Sequence, residues 1–280
     1  PARVRPPGRT GRRDHMPNFA ANLSMMFGEW EFLDRFAAAA ACGFRAVEYL
    51  FPYAYDRTDL QARLAANGLE QVLFNAAEGD WDQGERGIAG LPGREGDFRR
   101  AIDTAVSYAT ALGCRRIHVM AGLRPQDAEV ERCRDVLVAN LAWASGMARS
   151  AGVMLLLEPL NPHDFPGYLI DTAAAARSVI SAVDSGAVGL QFDVYHAQMT
   201  QGRLLDTLDA HWRDIRHVQI SGVPGRHEPD ALQEINFARL FAELDARNYD
   251  GWVGCEYRPR GETVAGLSWA APYGIGRRET

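Results

Sequence analysis

The 280-residue chain contains no lysine: all 30 side chains counted as Lys or Arg are arginine. Schiff-base aldolase chemistry, pyridoxal-phosphate attachment and a Walker-type phosphate loop each depend on a lysine amine, so all three are excluded. Cysteine is scarce as well. Cys42, Cys114, Cys133 and Cys255 lie far apart with no CxxC pair, the pattern expected of reduced core thiols in a cytoplasmic protein. No stretch reaches the roughly 18 apolar residues that a membrane span needs, and no apolar signal core follows the N-terminus, so no membrane partner is expected. The net charge of −6 and the absence of any run of like charge leave no basic face for nucleic acid. A small anionic partner is still admissible where cations converge locally.

What the chain does have is 47% hydrophobic side chains, enough for a large core in one domain. Residues 1–15 (PARVRPPGRTGRRDH) are rich in Arg, Pro and Gly and are expected to form a disordered extension. The folded domain is expected over 16–270, with 271–280 as a tail. Eight β-like runs alternate with helix-like stretches, which predicts an α/β fold, a single parallel (β/α)8 or TIM barrel. The runs are 19–23, 45–51, 70–75 and 115–122, then four starting near Met154, Val188, Ile215 and Trp252. Alanine-rich amphipathic segments predict helices over 32–43, 94–112, 126–150, 171–183 and 236–247, the first stopping at Gly43. Two longer polar loops, 76–95 and 221–235, follow the third and seventh runs, on the face where barrel enzymes place their sites.

Four runs in the second half end on an oxygen-bearing side chain: VMLLLEP on Glu158, VGLQFDVYH on Asp193, IRHVQIS on Gln219 and GWVGCEY on Glu256, with spacings of 35, 26 and 37 residues. Strand alternation brings all four into one mouth if Leu157, Phe192, Val218 and Cys255 face the helices. Three carboxylates buried together would force at least one to take up a proton, because like charges at short range raise a pKa. A divalent cation relieves that conflict, and a set of hard oxygen donors favours Mg²⁺ or Mn²⁺ over zinc. Glu158, Asp193, Gln219 and Glu256 are therefore the expected metal ligands.

Around them, His196 lies three residues after Asp193 and can reach a substrate oxygen, while Arg226 and His227 follow Gln219 in the long seventh loop. Arg226 suits a bidentate grip on a substrate carboxylate. His118 reads either as a mouth-facing group or as a hydrogen-bonded core histidine, and Glu48 either as an acid near the ligands or as an internal ion-pair partner. Two glutamates beside a metal suit proton transfer next to a carbonyl: one removes an α-proton to give an enediolate and the other returns a proton to the neighbouring carbon. Glu158 and Glu256 are the expected catalytic pair, and the reaction class is aldose–ketose isomerisation or epimerisation.

The segments FAANLSMMFGEWEFLDRFAAAAACGFRAVEYLFPYAY, GDWDQGERGIAGLPGRE, LLLEPLNPHDFPGY, QFDVYHAQ, HVQISGVPGRHEP, EINF and GWVGCEYRPRG resemble the hydroxypyruvate isomerase family of the xylose-isomerase-like barrels over residues 16–270. The resemblance implies a TIM barrel that interconverts hydroxypyruvate and 2-hydroxy-3-oxopropanoate (tartronate semialdehyde). It places the acid/base pair on Glu158 and Glu256, and the metal on Glu158, Asp193, Gln219 and Glu256. HVMAG and VQISGVPGRHEPD look more like the closely related 2-oxo-tetronate isomerases, so a four-carbon substrate stays open, as does a ketose epimerase of the same superfamily. Either isomerase substrate carries a carboxylate beside a ketone that Arg226 would hold. A zinc-dependent apurinic endonuclease would need several histidine ligands and a basic surface; a non-catalytic sugar-binding barrel would tolerate loss of both glutamates. A homo-oligomer is compatible with this reading, and the sequence leaves the number of subunits open.

Overall fold

In the computed structural model, which describes residues 17–276, eight strands hydrogen-bond in chain order into a closed barrel. They are β1 (Asn18–Asn22), β2 (Ala46–Glu48), β3 (Glu70–Asn75), β4 (Arg116–His118), β5 (Met154–Leu157), β6 (Val188–Asp193), β7 (Ile215–Ile220) and β8 (Trp252–Cys255). Every neighbouring pair is parallel, and β8 closes on β1 from Asn18↔Trp252 to Ala21↔Cys255. The expected (β/α)8 barrel is therefore the fold. The expected extension 1–15 and residues 277–280 lie outside the described residues. The boundary expected at 270 falls inside a 3-10 helix, Leu267–Tyr273, and Ile275 beyond it is buried.

The connecting helices are α1 (Arg35–Ala41), α2 (Arg57–Asn67), α3 (Glu95–Leu112), α4 (Val130–Ser150), α5 (Ala173–Val183), α6 (Val194–Thr200), α7 (Leu204–His211), α8 (Phe237–Ala246) and a single turn α9 (Thr263–Gly266). Local chemistry fixes their ends. Asp56, Thr172 and Asn236 cap α2, α5 and α8 by accepting backbone N–H groups with their side chains, satisfying donors that the helix itself leaves unpaired. α2 and α3 stop at Gly68 and Gly113 in the left-handed conformation, which costs least at glycine. Where the spacing predicts one helix between β6 and β7 there are two, divided at Gly202 and Arg203, both at positive φ. No helix among the described residues is long and apolar enough to cross a membrane.

The main apolar core fills the space between barrel and helices, with Leu157, Phe192, Val218 and Cys255 all buried in it. A smaller cluster containing Ala20, Ala46 and Leu156 packs with Met154 and Trp252. Side chains two apart on a strand share a face, so above that layer the same faces present Asn22, Glu48 and Glu158. Gln191 with Asp193, His217 with Gln219 and Gly254 with Glu256 extend the polar layer around the barrel, and all are buried.

Gly43 ties the C-terminal segment to this frame. Its φ is +91°, and a Cβ there would stand 2.8 Å from the carbonyl oxygen of Gly274. Gly43→Ala is expected to destabilise the protein by more than about 1 kcal/mol, read as a lower urea midpoint at unchanged slope.

Candidate active site

The mouth at the C-terminal ends of the strands is built around buried charge. Glu158 follows β5 by one residue, Asp193 ends β6 and Glu256 follows β8 by one residue, and all three are buried. Register sets Asp193 beside Gln219 across β6 and β7, and Gln219 beside Gly254, two residues before Glu256, across β7 and β8. Asp193 also starts α6, where its Oδ1 accepts the Tyr195 N–H at 2.8 Å.

Arg226, carried by the loop after β7, reaches into this group. Its Nη2 lies 2.8 Å from Glu256 Oε2 and 3.2 Å from Asp193 Oδ2, and its guanidinium sits over the Tyr195 ring at 4.9 Å. Burial pushes Glu256 up to about 8, against the pull of Arg226 and with the push of Asp193. Glu158 is raised well above the usual carboxylate range by burial and then by the charges of Glu256 and Asp193. Asp193 is raised too by burial, moderated by Arg226 and the Tyr195 N–H. Burial alone would lower Arg226, but Glu256, Asp193 and Glu158 outweigh it and keep the guanidinium charged. One cation thus offsets only part of the cost of three confined carboxylates.

Two buried histidines flank the acids as opposite tautomers, assigned from their hydrogen-bond partners. His196 Nδ1 accepts the backbone N–H of Asn161 at 3.0 Å, so its proton is on Nε2, 3.7 Å from Asp193 Oδ2. His118 Nδ1 faces two acceptors, Asn75 Oδ1 at 3.3 Å and Glu158 Oε2 at 3.4 Å; it carries the proton there and leaves a bare lone pair on Nε2. Desolvation lowers both, His118 to about 3 and His196 well below its ordinary value, with Arg226 adding to the latter. Both rings are therefore neutral near pH 7. Ligand atoms of Glu158, Asp193 and His196 come within 4.8 Å of one another, a cluster able to hold a cation. The tautomer makes His196 a hydrogen-bond donor toward that space, and the carboxylates its natural ligands.

Gln219 is spoken for on both sides, its Oε1 accepting from Gln191 Nε2 at 2.6 Å and its Nε2 donating to Glu48 Oε1 at 2.8 Å. His227 turns out of the group, its Nδ1 2.8 Å from the Arg258 carbonyl. Glu228 pairs with Arg260, leaving Arg226 to the acids. Glu48 is turned to an internal partner, its Oε2 2.7 Å from His217 Nε2. The loop 221–235 thus delivers Arg226, whereas 76–95 is braced within itself by the Glu85–Arg94 ion pair and tied to the segment after β4 by the bridge Gly87↔Ala121. Residues not anticipated are Asn161, which orients His196, Asn75 beside His118, and Tyr195 under Arg226. The polar residue at every second position of HVQIS was the available signal for His217.

These raised acids set a pH dependence. A carboxyl group raised on folding contributes stability that is complete below its unfolded pKa and lost as pH rises through the folded value, here about 8 for Glu256. In chelator, the thermal midpoint is expected to fall between about pH 5 and pH 9, and Glu256→Gln to flatten that fall; scanning calorimetry across the range checks both.

The profile described as xylose isomerase-like TIM barrel matches residues 36–273. A 2-oxo-tetronate isomerase of Cupriavidus necator is 54% identical over 262 residues, 94% of this chain and the whole of that protein. A hydroxypyruvate isomerase of Escherichia coli is 45% identical over 259 residues, 92% of this chain and the whole of that protein. Among solved structures, one described as AP endonuclease, family 2, from Brucella melitensis superposes with a TM-score of 0.90 at 44% identity, covering 92% of this chain and 99% of that one. With its closed eight-stranded barrel and a profile match over most of its length, the chain belongs to the xylose isomerase-like TIM barrel family.

Proposed function

We propose that this enzyme is an aldose–ketose isomerase that interconverts hydroxypyruvate and 2-hydroxy-3-oxopropanoate. The observation that carries this reading is the placement of two buried glutamates, Glu158 and Glu256, around Asp193 and Arg226 in the barrel mouth. A carboxylate held beside the reacting carbons can both take and return a proton.

The donor set suits a divalent ion. Three carboxylates converge with one arginine between them, and Glu158 Oε1 is buried without a hydrogen-bond partner. Glu158, Asp193, Gln219 and Glu256 would hold the ion, with Mg²⁺ or Mn²⁺ the best match to oxygen donors. When bound, it would supply Lewis acidity that polarises the substrate carbonyl. Arg226 Nε is likewise buried and unpartnered, and this donor would receive an oxygen of the substrate carboxylate. His196 would donate its Nε2 proton to a substrate oxygen, and His118 Nε2 would accept one from a hydroxyl. One glutamate removes a proton from the hydroxymethyl carbon of hydroxypyruvate, the electron pair moves into the C2–C3 bond as an enediolate, and the other glutamate protonates C2. The hydroxyl proton passes from O3 to O2, leaving an aldehyde at C3. Four buried cysteines, none in a disulfide, support a reducing, cytoplasmic setting.

A second reading, 2-oxo-tetronate isomerisation, is favoured by the 54% identity to a relative of that name along its whole length. It uses the same residues on a substrate one carbon longer. A nuclease reading is disfavoured by the single histidine in the cation-binding cluster and by the net charge of −6.

Glu158→Gln and Glu256→Gln are each expected to lower kcat by about 10²- to 10⁴-fold with unchanged far-ultraviolet circular dichroism; near-full activity in both variants would sink the two-glutamate mechanism. Parallel measurement of kcat/KM on hydroxypyruvate and on a four-carbon 2-oxo-tetronate decides between the substrates. The higher value is expected on hydroxypyruvate, the reverse order supports the second reading, and turnover of neither removes both.

A further inference from the structure

Around Gln219 the barrel interior holds a polar assembly whose other members, Glu48, His217 and Asn22, have no part in the reaction above. Glu48, on β2, sends its carboxylate across the barrel to β7, where Oε1 accepts the Gln219 Nε2–H at 2.8 Å and Oε2 lies 2.7 Å from His217 Nε2; Asn22 Nδ2 adds a third bond at 3.1 Å. Glu48, His217 and Gln219 are each at most 2% exposed. The space for this carboxylate comes from Gly254 on β8, where a Cβ would stand 2.3 to 2.5 Å from the Glu48 carboxylate atoms.

We propose that Glu48 is a positioning residue that selects which end of the Gln219 amide faces the cation site, an inference that rests on the metal reading given above. The two ends of a glutamine amide have nearly the same shape and opposite chemistry: the oxygen accepts or ligates, whereas the NH₂ only donates and repels a cation. Glu48 Oε1 accepts from both Gln219 Nε2 and Asn22 Nδ2, so it holds the nitrogen end of the amide. Gln191 Nε2 marks the other end, donating to Gln219 Oε1 at 2.6 Å, and that oxygen keeps a second lone pair for the ion. His217 and Asn22 hold the Glu48 carboxylate, so the orientation is imposed from below by fixed groups. Partners of this kind, one step removed from a metal, commonly matter about 10- to 100-fold in affinity.

The test is Mn²⁺ binding to the full-length chain by calorimetry, for the wild type, Glu48→Asp, Glu48→Gln, Asp193→Asn and the double variant Glu48→Gln/Gln219→Glu. Glu48→Asp keeps the charge but withdraws it from Gln219 and is expected to weaken Mn²⁺ about 10- to 100-fold, as Glu48→Gln does; a role through charge alone would leave Glu48→Asp unchanged. In the double variant the residue at 219 has two equivalent oxygens and the net charge is conserved, so most of the lost affinity is expected to return. Wild-type affinity in Glu48→Asp, or no recovery in a folded double variant, overturns the positioning role while Asp193→Asn still abolishes binding. If Glu48→Asp or Glu48→Gln does not fold, the double variant alone decides. Failure of the wild type itself to bind Mn²⁺ overturns the metal reading and the positioning role with it.

Discussion

Three carboxylates buried together in the barrel mouth set the terms for everything around them. Glu158, Asp193 and Glu256 are all raised by burial, and Arg226 compensates for only part of that cost. A fold selected for stability alone would not gather acids there, since one well-placed apolar side chain is cheaper than a partly paired buried charge. The surrounding features answer that conflict. Histidines are held neutral on either side, a backbone N–H is given to Asp193, and an arginine is delivered by a loop long enough to turn back over the barrel.

The parts of this arrangement that follow strand ends are legible in the sequence, because an apolar run buried on both faces closes on an acid chiefly where that acid meets the barrel mouth. Glu158, Asp193 and Glu256 stand out in that way, as do the strand starts and most helices. Contacts across the barrel do not. Glu48 meets His217 and Gln219 from 169 and 171 residues away, and no local pattern encodes which of eight strands will lie opposite which. The direction of loop side chains is equally hidden: Arg226 and His227 are adjacent in sequence, yet the positive φ of Arg226 and the bridge Gly222↔His227 send one into the acids and the other to the Arg258 carbonyl.

Within the barrel, polarity is stratified. Small apolar side chains such as Ala20, Ala46 and Leu156 lie below, and the polar side chains of Asn22, Glu48 and Glu158 stand above them on the same strands. Each layer is reached by moving two residues along a strand, so the repeat of the β-pleat becomes a vertical ordering of chemistry. The polar side chain of Glu48 accounts for the glycine between Val253 and Cys255 on β8. The lack of a side chain there is what lets a carboxylate from the far side of the barrel come to rest against β7.

Asp193 has two duties that are usually assigned to different residues. One of its oxygens begins α6, and the other belongs to the acid cluster. The first turn of α6 carries Tyr195, which lies under Arg226, and His196, which presents its Nε2 proton to the same space. Starting that helix and completing the acid cluster therefore fall to one carboxylate: the group that caps the turn also fixes the side from which Tyr195 and His196 face the cluster.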